Sequence, residues 1–372
     1  MTAAIRTATI RASTHVLAAD ERASAKALWR RLERQVAQPG LTCSWDWTEV
    51  WLDHFGDVVP HEFVVVSEGG EPVGAALLTR GVGRKRNRVA VRTLHVGTAG
   101  EPRGDSVFVE NNRLLVVPER REAAVRAIVA AVHEDETWDE FWLDGFVPED
   151  ASQFLGADAS LVARREPCPT VDLRAADERD GDVLSILTPN TRYQIRRSIR
   201  AFGDVAGEWA ESVEEALDIL DELIRLHQRR WRDVGQPGAF ASERFTAFHR
   251  SLVKLLLPEG AILLYRVRSR RDTIGCLYSL LERNDVLSYQ LGLHRFQDNK
   301  LKPGFVAHAL CMQASYERGF ADYNFLADAT PWKRELATTE RHLIWASASR
   351  RRLKLAVADA LGAGVKLVRR GR

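Results

Sequence analysis

Residues 286–333 decide the reading: VLSYQLGL (286–293), HRFQDNKLKPG (294–304), FVAHALCMQASYER (305–318), GFADYNFL (319–326) and ADATPWK (327–333). In order, these pieces read strand, loop, helix, strand and loop. Leu287, Tyr289, Leu291 and Leu293 alternate, which predicts a single apolar strand face. Lys302-Pro303-Gly304 opens a helix, since Pro in a first turn gives up an N–H that has no intrahelical partner. Phe305, Ala309, Met312 and Tyr316 follow at helical spacing, and Gly319 ends the run. A strand, a glycine-bearing turn and a helix N-terminus together make an anion site, because free N–H groups and the helix dipole converge there. With Lys300 and Lys302 at the mouth, the spacing points to a cofactor phosphate site. The plain alternative is a solvated turn with two surface lysines.

Outward from this stretch, 372 residues exceed what one hydrophobic core usually supports, so two domains are expected. An apolar fraction of 45% with 28% charged residues is that of a soluble globular chain. A net charge of +2 argues against a dedicated nucleic-acid binder. The charge is unevenly placed: residues 350–372 carry eight Lys or Arg against one Asp. Four cysteines at 43, 168, 276 and 311, none in a CxxC pair, read as reduced thiols and not as a metal site or disulfide framework. Neither a signal peptide nor a membrane span is legible, and a cytoplasmic location is expected.

The first half reads as helix (22–35), a short helix with Trp47, Trp51 and Phe55 on one side, and a hairpin-like pair from HEFVVVSE and VGAALLTRG. Further strands are expected at VAVRTLHVG and GDSVFVE, then a helix (119–135) and a strand at WDEFWLDGF. Residues 148–169 read as a connecting loop, with CPTVDL as a strand bridging the halves. The second half opens on a Thr188-Pro189 cap. In NTRYQIRRSIRAFG, Ile195, Ile199 and Phe202 form an apolar line opposite Arg192, Arg196, Arg197 and Arg200. That basic face is either solvated or a cationic wall for an acidic ligand. Helices at 213–231 and 242–257 precede three strands ending in the 286–293 strand, and His227 reads as a packed histidine. Both halves thus run from helices through a strand meander to a helix and a last strand, a duplicated unit without repeated identities. The expected domains are 1–165, 166–349 and a basic tail at 350–372. The tail reads as a surface helix packed on the second unit, or as a weak contact with an anionic membrane.

Several segments, in this order, resemble the GNAT acyltransferase superfamily: CSWDWTEVWLDHFG, GDSVFVENNRLL, CPTVDL, TRYQIRRSIRAFG, LHQRRWRDVGQPGAF, residues 287–326 and PWKRELAT. More closely, the chain resembles tandem-GNAT proteins of the CelD/BcsL type, acetyltransferases of cellulose and exopolysaccharide biosynthesis related to Fem peptidyltransferases. The resemblance covers residues 40–346. It implies an α/β (α+β) fold of two tandem GNAT-like units, each a mixed, mostly antiparallel sheet flanked by helices. Family members often read Asp-Phe-Leu-x-Gly where this chain has Asn324-Phe325-Leu326-Ala327-Asp328, and Tyr-Lys where it has Trp332-Lys333. Lys302-Pro303-Gly304-Phe305 stands in place of the usual pyrophosphate signature.

The resemblance implies an acyl-CoA co-substrate, no metal, and direct attack of an amine or hydroxyl acceptor on the thioester. Backbone amides would stabilise the developing oxyanion. Leu291, Lys300, Lys302, Gly304 and Phe305 are the expected cofactor contacts. Arg196, Gln290 and Lys333 are the expected substrate contacts. Tyr289 is the candidate acid and Asp328 the candidate base, with Asp322, His294, Glu282 and Tyr323 nearby; a packed aromatic is the other reading of Tyr289. The activity implied is N- or O-acyl transfer (GNAT N-acetyltransferase type) to a polysaccharide or cell-envelope precursor. Two alternatives remain: a Fem-like aminoacyl-tRNA-dependent transferase, and a catalytically degenerate GNAT scaffold in exopolysaccharide biosynthesis. Nucleic-acid partners and stable membrane insertion are not expected in the leading reading.

Overall fold

The computed structural model describes residues 13–270, 272–298 and 300–370, with side chains as far as residue 362. The reading of the first twelve residues therefore lies outside the described part. The first half runs β1 (Ser13–Ala18), α1 (Arg22–Glu33), α2 (Trp45–Phe55), β2 (His61–Glu68) and β3 (Glu71–Arg80). It continues through β4 (Lys85–Arg86), β5 (Val89–Ala90), β6 (Thr93–Val96), β7 (Leu115–Val116), α3 (Arg121–Glu134), β8 (Glu140–Phe146), α4 (Pro148–Ala157) and β9 (Val162–Asp172). The second half runs α5 (Pro189–Phe202), β10 (Val205–Trp209), α6 (Val213–Asp233), α7 (Glu243–Leu256), β11 (Ile262–Ser269), β12 (Asp272–Glu282) and β13 (Asp285–Leu293). It ends with α8 (Pro303–Glu317), β14 (Asp322–Asn324), α9 (Pro331–Leu336), β15 (Thr339–Ser349) and α10 (Leu353–Arg370).

One 13-stranded mixed sheet holds both halves: twelve strands run in the order β1-β2-β3-β6-β8-β15-β9-β14-β13-β12-β11-β10, and β7 pairs with β3 off this path. The order is a palindrome of two equivalent units. In each, antiparallel neighbours lead to a parallel pair joined through a helix, β6-α3-β8 and β13-α8-β14. The two last strands then change places. β15 lies against β8 of the first half, while β9 lies against β14 of the second, and β9 and β15 pair antiparallel from Thr339↔Thr170 to Ser347↔Val162. The 165/166 boundary expected from sequence thus falls inside β9, a strand that serves the other unit's sheet. The fold is mixed α/β with helices on both faces, and GNAT-like in its splayed strand pair.

The core explains the indole-rich start. Trp29, Trp45, Trp47 and Trp51 are buried on one face of the sheet with residues of α6 and α7. Trp47 meets Phe248 edge-to-face at 5.5 Å, so this core is common to both halves. The opposite face is covered by α3 and α4 in the first half and by α5 and α8 in the second. Ser44, Thr188, Ser212 and Ser242 each cap the following helix through an oxygen that accepts a backbone N–H.

Several expectations need correction. GDSVFVE is irregular loop, not strand: Phe108 within it and Asn111 just after it take positive φ (48° and 63°), outside the extended region a strand requires. The connecting loop at 148–169 contains α4 and most of β9. Leu287, Tyr289, Leu291 and Leu293 do not share a face. A β-bulge between Tyr278↔Gln290 and Ser279↔Ser288 inserts Tyr289 as an extra residue. Leu287 and Tyr289 therefore join the core shared by the two halves, while Leu291 and Leu293 pack on the other side.

The tail helix α10 packs on the first unit, not the second. Asn87 Nδ2 donates to Ala358 O at 3.0 Å, and Arg352 Nε and Lys354 reach the buried Asp139 carboxylate, Arg352 at 3.1 Å. Burial alone would push the Asp139 carboxyl up; Lys354 and the Arg92 amide and guanidinium together hold it below the usual range. A depressed carboxyl stabilises the fold above the unfolded-state pKa of about 4, and this contribution is lost as pH falls through the folded value. Lys354→Met should cost about 1 kcal/mol at pH 7, a figure discounted for the partial exposure of the lysine. In thermal unfolding, the gap to the parent protein should close below about pH 4. Among the described residues, no helix is long and apolar enough to cross a membrane.

Candidate active site

β13 and β14 pair in parallel only over Asp285↔Asp322, Val286↔Tyr323 and Leu287↔Asn324. Beyond Leu287, β13 runs on to Leu293 without that neighbour. His294 N donates to Ile274 O of the β12 side at 3.0 Å, so by alternation the Leu291 and Leu293 amides face away from β12. They face the gap left by β14.

The gap is a cleft of about 470 Å³. Leu291, Leu293, Phe296, Phe305 and Trp332 form its apolar lining, and the C-terminal end of α6 flanks it through Leu226, Arg229 and Arg230. Gly292 allows α6 this close: a Cβ there would lie 2.5 Å from the Leu223 carbonyl oxygen. At one end stands the first turn of α8. Lys302 N is already bonded to Ser198 Oγ at 2.8 Å, and Pro303 has no N–H. The Gly304 and Phe305 amides find no acceptor among the described residues and are left for a ligand. Arg229, Arg230, Arg295 and Lys302 line this cleft against one carboxylate, Asp233, which Arg295 meets at 3.3 Å. An apolar trough ending in a basic helix N-terminus suits a long thin ligand with an anionic end.

Where the strands separate, the loop after β14 meets the first half. Leu326 and Asp328 both have positive φ (61° and 67°). Leucine is a costly residue in that region, and such strain gathers at functional sites. At Asp328 the left-handed backbone is one that a glycine would adopt more readily. Between them, Ala327 N donates to Glu110 Oε2 at 2.8 Å and Ala327 O accepts from Lys333 Nζ at 2.6 Å. Burial raises the Glu110 carboxyl above its usual range, although the Ala327 amide and Lys333 oppose this. Burial likewise lowers Lys333, against Glu110 and Asp328. A buried carboxyl whose charge is disfavoured, set near a buried ammonium, is the kind of pairing found where protons are exchanged.

Of the residues singled out from sequence, the cleft brings together Leu291, His294, Lys302, Gly304 and Phe305. Lys300 is exposed, its amide bonded to Asp298, and it does not line the cleft. Lys333 and Asp328 stand at the strand separation, Asp328 exposed. Tyr289 turns into the shared core, where its hydroxyl donates to Val107 O at 2.6 Å and lies 3.2 Å from His249 Nε2. Burial holds that hydroxyl well above its ordinary pKa. Gln290 is half-buried opposite Tyr278, and Arg196 is exposed and paired with Asp182 at 3.2 Å, both off the cleft wall. Glu282 and Asp322 are occupied by Arg113 and Arg341. Glu110 was missed. It lies 217 residues from Ala327 in a loop with no periodic signal, and only the tertiary fold makes them neighbours.

Comparison with known proteins settles which fold this splay belongs to. Residues 189–334 match the acetyltransferase (GNAT) domain family. The cleft, the α8 N-terminus and Lys333 all fall inside the matched segment, while Glu110 lies outside it. Among solved structures, the chain is similar to FemX at 11% identity and a TM-score of 0.57, covering 86% of this chain and 95% of that one. It is also similar to L-PGS from Bacillus licheniformis (11%, TM-score 0.52, covering 91% and 96%). A third likeness is the C-terminal DUF2156 domain of a putative lysylphosphatidylglycerol synthetase from Agrobacterium fabrum (14%, TM-score 0.51, covering 77% and 84%). At these identities the likeness is one of fold. No curated protein matches the chain by sequence.

Proposed function

We propose that the protein is an acyl-CoA-dependent acyltransferase, with the donor in the cleft between β13 and β14 and an amine or hydroxyl acceptor arriving from the first half. One observation carries this reading: the two strands part after Leu287 and Asn324, and the gap leads to unpaired amides at a basic helix N-terminus. The Gly304 and Phe305 amides with Lys302 hold the diphosphate. Leu291, Leu293 and Phe305 pack along the pantetheine arm, and the Leu291 amide is the nearest backbone donor facing the gap for the thioester oxygen. Glu110 takes the proton from the acceptor as its nitrogen or oxygen bonds to the acyl carbon. The C–S bond then breaks, and the thiolate leaves with its electron pair and is protonated from solvent. Lys333 fixes the loop through Ala327, and its charge favours the ionised form of Glu110 against the effect of burial. A sugar of the polysaccharide or cell-envelope precursor type is the acceptor class we favour.

The test is equilibrium titration of the purified protein with acetyl-CoA, desulfo-CoA and an aminoacyl-tRNA analogue. Saturable binding of both CoA compounds is expected, with none of the tRNA analogue. Binding of the analogue alone would shift the donor to tRNA; binding of none would leave a scaffold without catalysis.

A further inference from the structure

A second cavity, of about 370 Å³, opens on the first half and reaches Glu110. That volume suits a ligand the size of one sugar or amino acid. Its lining carries both signs of charge: Arg84 and Arg103 with Glu101, Glu110 and Asp144. The carboxylates are fixed. Trp51 Nε1 donates to Glu101 at 2.7 Å, His95 Nδ1 lies 2.7 Å from Asp144 Oδ2, and Glu110 accepts from Ala327. The guanidiniums are not. Neither Arg84 nor Arg103 has a carboxylate within 4.0 Å among the described residues, and Arg84 Nε is buried without a partner. Both guanidiniums line the cavity and have donors available to an anion. Trp345 and the 77% exposed Phe108 add apolar surface, and Phe108 is held in the strained left-handed region (φ 48°).

Resting on the acyltransferase reading, we infer that this cavity binds the acceptor and that the acceptor carries a primary amine together with an anionic group. The amine faces Glu110 at the strand separation, and Arg84 and Arg103 hold the phosphate or carboxylate. An amine without an anionic group would leave the half-buried Arg84, whose Nε has no partner, uncompensated and the exposed Arg103 unused, and a simple anion would leave the carboxylates opposed. The aromatic pair favours a sugar scaffold, whose C–H face packs on a ring.

The experiment is calorimetric titration of the full-length protein with four probes: glucosamine 6-phosphate, muramic acid, glucosamine and glucose 6-phosphate. The expected result is that glucosamine 6-phosphate or muramic acid binds at least tenfold tighter than glucosamine and glucose 6-phosphate. Which of the two wins tells phosphate from carboxylate. Arg84→Ala and Arg103→Ala should each erase that advantage while leaving the unfolding temperature and acetyl-CoA binding intact. Equal affinity for glucosamine, equal affinity for glucose 6-phosphate, or no binding of any probe overturns the inference. If acetyl-CoA still binds, only the acceptor assignment fails; if it does not, the donor reading fails with it.

Discussion

Gly304→Glu is expected to weaken acyl-CoA binding by at least about a hundredfold while leaving the fold intact, because it sets a carboxylate and its bulk directly where the diphosphate would meet the free amides. The structure separates the two effects. A Cβ at Gly304 meets only the flexible end of Leu293, at 3.2 Å, which can give way. Position 304 lies in the first turn of α8, where a negative side chain favours the helix dipole. The variant should therefore unfold at the parent temperature yet fail to bind acetyl-CoA in a titration. Lys302→Glu should also weaken binding, since it replaces one of the four cations at this helix end by a carboxylate. Unchanged affinity in Gly304→Glu would remove the diphosphate from this helix end.

Glu110→Gln should lower turnover by about 10²–10⁴-fold with donor affinity unchanged, the usual range for losing a general base. Glutamine keeps an oxygen for the Ala327 amide, so the loop geometry survives and a purely structural role predicts little change. The pH dependence decides between them. The Glu110 carboxyl sits above the usual carboxylate range because burial disfavours its charge. A base works when deprotonated, so kcat/KM of the parent should fall as pH drops through that raised value, and the variant should lose this acidic limb. A limb that persists in Glu110→Gln would assign the titration to another group, with Asp328 next in line.

Much of the second half was legible because its elements are long, periodic and locally signalled. The Thr188-Pro189 and Ser242 caps, the helix beginning at Pro303 and the three strands before it all stand where spacing puts them. Four of the five expected cofactor contacts line one cleft; Lys302, Gly304 and Phe305 do so together because a helix N-terminus and the residue before it are contiguous in sequence. Two kinds of feature escaped. One was a single inserted residue: the bulge at Tyr289 reversed which side chains look inward, and period-2 alternation has no signal for it. The other was long-range pairing. β15 was not marked, and its place beside β8 and β9 depends on an exchange of terminal strands that no local pattern records.

What the amino-acid order determined unaided was the set of elements, the amphipathic helices and the anion-seeking turn at 302–305, because capping, proline chemistry and apolar period act over a few residues. Which carboxylate stands at the strand separation, which face Tyr289 presents, and where the tail helix docks were decided only in three dimensions. Glu110 meets Ala327, and Arg352 meets Asp139, across more than two hundred residues. Contacts at that separation depend on how whole sheets and helices pack, and the burial that shifts the Glu110 carboxyl exists only once they have packed.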